Sequence, residues 1–351
     1  MRTGATPMNA ASIVVAVLLV FGTAPAAGTP ADDVPAESLA ALVARLRATP
    51  GVRRVEDWTF EEGRGLVFET RHYRVHTTLL DPLVLSSLPA FLEFAQQAYQ
   101  RQLPEPVSRR YLSTVYLFAT RSQWEAFTRG FAGDAAPAYL AIQKGAYYHN
   151  GACVVYHIGI HRTRSALGHE GWHQFVHRHF ALRLPSWLDE GLATQFEVSQ
   201  QSAGRIHFVA GRNLNRLVAL RRAVARDRLL SLSDLLAMNP GHVLGDDDRM
   251  AGFYAQVYAL VRFLREADRG IYLGRFERLL HDARTGAWPL PEDIRRIAAD
   301  RNIPLTADFN RAVSLALFRL YMGQSPEQLD ARYRAYCIEL AHTVRIEESA
   351  P

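Results

Sequence analysis

His169-Glu170-Gly171-Trp172-His173 carries two imidazoles four residues apart, with a carboxylate next to the first. On an α-helix, positions four apart share one face, about 6 Å apart along the axis. His169 and His173 can therefore aim at one point, with Glu170 beside that point rather than on it. Two neutral ring nitrogens can hold Zn2+, and a carboxylate so placed can take a proton from a water held there. Trp187-Leu188-Asp189-Glu190-Gly191 follows. Its Glu190 is a third, acidic candidate ligand.

The surrounding residues must supply the helices. Ala166, Leu167, Trp172, Phe175, Val176 and Phe180 give the first segment the mixed apolar face of a buried helix. Leu184-Pro185 stops it and starts a second helix, Ser186 to about Val198, with Pro185 in its first turn. Two antiparallel helices joined by a short turn would bring Glu190 back toward the histidines. His177 extends the same face by one turn, and His179 lies six residues after His173. A histidine ligand at that spacing belongs to the metzincin pattern, which needs Gly three residues after the second His. Val176 stands there instead, so Glu190 is favoured over His179. The competing reading is two ordinary amphipathic helices with surface histidines.

His169-Glu170-x-x-His173 followed by Glu190-Gly191-Leu192-Ala193-Thr194-Gln195-Phe196-Glu197 resembles the gluzincin metallopeptidases. The second run is similar to that of their aminopeptidase branch, and the layout resembles the bacterial peptidase MA-like proteins. The resemblance covers about residues 151–264. It implies a thermolysin-like architecture, Zn2+ as cofactor, His169, His173 and Glu190 as metal ligands, and Glu170 as general base. Glu197 would at most support a ligand from behind. Sixteen residues separate His173 from Glu190, slightly fewer than in the aminopeptidases. In those enzymes a Tyr at the start of a similar helix donates to the oxyanion. That role falls to Tyr254, in Phe253-Tyr254-Ala255-Gln256-Val257-Tyr258, with Tyr258 as the alternative donor.

The chain has 351 residues, 48% of them hydrophobic, enough for a sizeable core. Its formal net charge is +5. Lys144 is the only lysine, and the arginines are scattered rather than clustered, which argues against a nucleic-acid partner. Arg2, the apolar run Ile13 to Phe21 and Ala24-Pro25-Ala26 read as a signal peptide over residues 1–26. Secretion or export to a periplasm is expected, with an uncleaved anchor as the alternative. No other stretch approaches a transmembrane helix. Cys153 and Cys337 are the two cysteines; one disulfide or two buried thiols would both suit an exported protein.

A leader and short helix are expected over residues 27–60, with Glu37 to Ala48 amphipathic. Residues 61–160 read as an α/β sheet unit. Strands are expected at 65–70, 72–77 and 114–118, and a helix over Ser87 to Arg101, capped by Ser87 with Pro89 in its first turn. Another helix opens at Ser122. Residues 145–148 and 152–156 form a hairpin around Asn150-Gly151. In gluzincins an edge strand above the metal pairs with the extended substrate, and either hairpin strand could serve. The aminopeptidases carry a Glu there that holds the substrate's amine. No Glu lies between Lys144 and Ile160, which favours internal cleavage.

From Thr163 onward the chain is expected to be helical: a zinc-binding catalytic unit over 161–285, then C-terminal helices over 286–351. Asp246-Asp247-Asp248 reads as a solvated loop without EF-hand spacing. The fold class is therefore α+β, a small mixed sheet followed by a mainly helical catalytic part. The expected activity is zinc-dependent hydrolysis of a peptide or protein. The rivals are a binding protein that keeps the same shell and a hydrolase of non-peptide amides or esters. Oligomeric state is left open.

Overall fold

Alternating apolar and polar residues build a six-stranded mixed sheet in a computed structural model that describes residues 39–344, apart from 106, 108–111, 143–144, 244–245 and 303–305. The expected signal peptide, 1–26, and the start of the expected leader, 27–38, lie outside the described residues. The strands are β1 (Arg54–Phe60), β2 (Gly63–Glu69), β3 (Tyr73–Thr77), β4 (Ser113–Phe118), β5 (Ala146–His149) and β6 (Ala152–Tyr156). Their order is β1-β2-β3-β4-β6-β5. The central strands β3, β4 and β6 run parallel, while β1–β2–β3 and β5–β6 are antiparallel. Asn150 and Gly151 both adopt positive φ, as the tight turn between β5 and β6 requires. That turn makes β5 an edge strand.

The two faces of the sheet carry different cores. Phe68, Val75, Val115, Leu117, Cys153 and Val155 face the large core. Phe118, Tyr147, Val154 and Tyr156 face a smaller aromatic one, built with Trp124 of α3 (Arg121–Phe131) and Tyr139 of α4 (Ala136–Leu140). On the first face lie α1 (Leu39–Ala48), α2 (Pro82–Gln100) and α5 (Ile160–His179). The remaining helices are α6 (Ser186–Ala193), α7 (Leu214–Ala225), α8 (Leu232–Ala237), α9 (Asp247–Glu266), α10 (Leu273–Thr285), α11 (Glu292–Ala299), α12 (Ala307–Met322) and α13 (Pro326–His342). They continue the same core, which runs from Leu42 to Ala341. Helix α9 is buried along most of its length and packs against α6, α7, α10 and α13.

Several local expectations are corrected. Helix α2 starts at Pro82, capped by Asp81, whose carboxylate accepts from the Leu83 and Val84 amides. Ser87 is no cap: its hydroxyl donates to the Leu83 and Val84 carbonyls, and Pro89 sits inside the helix. Asp81-Pro82 is itself a capping signal, and the apolar residues between the two prolines make burial outweigh the missing amide. Helix α6 ends at Ala193 with a 3-10 turn over Thr194–Phe196, and Pro185 is its N-cap rather than a first-turn residue. Strand β1 was not legible, because Val55 is its one buried side chain. Within the helical half, β7 (Ser199–Ser202) and β8 (Arg205–Phe208) form a small hairpin. Asp246 caps α9, and Asp247 and Asp248 fill its first turn, where carboxylates suit the helix dipole. Cys153 and Cys337 are buried free thiols.

Candidate metal centre

Helix α5 is pinned to its surroundings at three places. Tyr99 of α2 donates its hydroxyl to the Gly168 carbonyl at 2.7 Å. A Cβ at Gly168 would collide with the Phe196 carbonyl, so the glycine lets the 3-10 turn approach. Gln174 Nε2 donates to Thr114 and Gly151 carbonyls at 3.0 and 2.8 Å, tying the helix to the sheet. On α6, a Cβ at Gly191 would stand 2.7 Å from the Val257 carbonyl. That glycine brings α6 onto α9, and with it Glu190 toward Tyr254.

The result is a buried cluster. One ligand atom from each of His169, His173 and Glu190 lies within 4.8 Å of the others. His169 Nε2 stands 3.1 Å from Glu190 Oε2, and His173 Nε2 stands 3.6 Å from the same oxygen. Both imidazoles are buried, which removes the reading of two helices with surface histidines. His179, at the end of α5, packs on Phe175 instead.

Each imidazole has a carboxylate behind its other nitrogen, hydrogen-bonded at His169 and in charge contact at His173. His169 Nδ1 donates to Glu197 Oε1 at 2.9 Å. His173 Nδ1 pairs with Asp189 Oδ2 at 3.2 Å, and Trp172 Nε1 donates to Asp189 Oδ1. A carboxylate on Nδ1 leaves Nε2 as the outward lone pair, the tautomer a metal ligand needs. Glu197 is itself held by Arg216 and Asn213.

Electrostatics follow from this packing. Burial pushes the Glu170 carboxyl up to about 7, with His173 and His169 pulling the other way. Burial also opposes ionisation of Glu190, but His173 and His169 outweigh it and hold that carboxyl at about 2. Glu197 is likewise at about 2, because Arg216 and His169 outweigh burial. Burial lowers His169 and His173, yet Glu190 and Glu197 leave the first raised, and Asp189 and Glu190 leave the second well raised.

A cation fits these residues. The two oxygens of Glu170, both ring nitrogens of His173 and the Tyr254 hydroxyl are buried atoms with no hydrogen-bond partner. Unpartnered buried polar groups are costly, and these converge on the cluster formed by His169, His173 and Glu190. Two imidazoles and one carboxylate form a donor set of the kind zinc takes in catalytic sites. The buried His169-His173-Glu190 group can therefore hold a metal ion.

The two candidate tyrosines part company. Tyr258 donates its hydroxyl to the Ala210 carbonyl at 2.8 Å and accepts from Arg262. Tyr254 lies beside the site, its ring 6.3 Å from that of His169 and its buried hydroxyl without a partner. Asp189, Asn213 and Arg216 are site residues to which sequence reasoning assigned no role. Arg216 is one of many helical arginines, and only its burial distinguishes it. No protein-family model matches the chain, and a search of curated proteins finds no match.

Proposed function

We propose that this chain is an exported zinc-dependent peptidase that cleaves peptides internally. One observation carries the reading: the partnerless carboxylate of Glu170, fully buried, stands next to a His-His-Glu ligand set. His169, His173 and Glu190 would hold the ion. When bound, zinc supplies Lewis acidity to a water and to the scissile carbonyl. Glu170, with its carboxyl near neutrality, accepts the proton of the attacking water and returns it to the leaving amine. Tyr254 donates its spare hydroxyl to the developing oxyanion. Strand β5, at the sheet edge and packed against α5, offers main-chain pairing to an extended substrate. The absence of a Glu in this hairpin supports internal cleavage over removal of the first residue.

The test is a panel of quenched peptides and a denatured protein, run with and without chelator, beside elemental analysis of the purified chain. Chelator-sensitive cleavage supports the proposal. Bound zinc without cleavage of any peptide would favour a non-catalytic binding protein, or a hydrolase of non-peptide amides or esters.

A further inference from the structure

Arg216, on α7, touches both halves of the site. Its Nε donates to Glu197 Oε2 at 2.9 Å and its Nη2 to Glu197 Oε1 at 2.6 Å. The same Glu197 Oε1 accepts from His169 Nδ1. On its other side, the guanidinium carbon lies 4.8 Å from the centre of the Tyr254 ring. Asn213 braces the arrangement. Its amide donates to Glu197 Oε2 at 2.7 Å, and its side-chain oxygen accepts from the Arg216 backbone, capping α7. Arg216 is 4% exposed.

We infer that Arg216 is a positioning residue that sets the metal-holding ring and the oxyanion donor together. This rests on the peptidase reading of the site. One arm runs through Glu197: an ionised carboxylate accepts strongly from His169 Nδ1, and the forked guanidinium of Arg216 reaches both of its oxygens at once. The other arm runs through the Tyr254 ring face, which attracts a cation and is held by it. One rigid group thus fixes the direction of His169 Nε2 and the place of the Tyr254 hydroxyl. A pair that served packing alone would be replaceable by neutral residues of similar volume.

The experiment uses the full chain with the double substitution R216M/E197Q, which leaves no unpaired buried charge. Zinc affinity is read by chelator competition, and kcat and KM are read on a quenched peptide at saturating zinc. The expected result is zinc affinity about 10- to 100-fold weaker, kcat about tenfold lower with KM unchanged, and a kcat loss that does not multiply with that of Tyr254→Phe. Parental zinc affinity and kcat would overturn the inference, as would a kcat loss that multiplies fully with Tyr254→Phe. Should R216M/E197Q fail to fold, Arg216→Lys decides by the same readouts, because it keeps the charge and removes the fork. A parent chain that binds zinc but cleaves nothing defeats the peptidase reading, and the zinc-affinity ratio alone then decides for or against Arg216. A parent that binds no zinc defeats both.

Discussion

Trp172 Nε1 donates to Asp189 Oδ1 at 3.0 Å, while the other oxygen of that carboxylate stands 3.2 Å from His173 Nδ1. Helices α5 and α6 are thereby joined through the residue next to Glu190. Asp189→Asn keeps the shape but weakens the hold on His173. Zinc affinity should fall by about 10- to 100-fold with the fold retained, measured by competition with a chelating dye and checked by circular dichroism. Unchanged affinity would show that His173 needs no support from Asp189.

Glu170→Gln removes the proton acceptor but none of the ligands. The expected outcome is zinc content equal to the parent and turnover lowered by about 10²- to 10⁴-fold. His169→Ala should instead lose the metal. Elemental analysis beside peptide cleavage separates the two, and a fully active Glu170→Gln would sink the mechanism.

Metal removal should loosen the whole centre, since the ligands lie on two separate helices. A ligand at a hundred times its dissociation constant stabilises a fold by about 2.7 kcal/mol. The melting temperature should rise on adding zinc and return on adding chelator. His169→Ala should melt at the same temperature with and without zinc.

Gly191 lets α6 lie on α9. In Gly191→Ala the new methyl would stand 2.7 Å from both the Val257 carbonyl and Val261 Cγ2, neither of which can swing away easily. A stability loss of about 1–3 kcal/mol is expected, together with weaker zinc binding as Glu190 is pushed off its place. Denaturant unfolding and dye competition measure the two effects.

A pH test probes the sheet rather than the centre. Glu93 of α2 accepts from the Thr70 hydroxyl at 2.7 Å and from the His72 amide at 2.8 Å, and pairs with the His72 ring at 2.6 Å. Burial raises its carboxyl, but the His72 and Thr70 bonds outweigh this and leave it lowered. A lowered carboxyl stabilises the fold above its ordinary range near 4.5 and loses that contribution as pH falls through its folded value. Glu93→Gln should therefore cost about 1 kcal/mol at neutral pH, and the gap between the two melting temperatures should close in acid. A gap that persists at pH 2 would refute this account.

What could be read from the chain by itself was local. The spacing of His169 and His173 is a helical period, so their shared face followed as soon as a helix was assigned. Asn150-Gly151 encodes its own turn through two positive φ angles. The expected mixed sheet followed by helices also reflects short-range apolar periodicity, and the mixed sheet and predominance of helix are present. Tertiary structure decided the rest, because those choices depend on residues far apart. Glu190 reaches the histidines because α6 packs on α5, while Gly191 on the same helix admits α9. Tyr258 spends its hydroxyl on Ala210, 48 positions away in the sequence, whereas that of Tyr254 has no partner. Arg216 and Glu197 carry no sequence signal that they meet each other. Their pairing is selected by the low dielectric around them, where a buried carboxylate needs a cation and α7 supplies one.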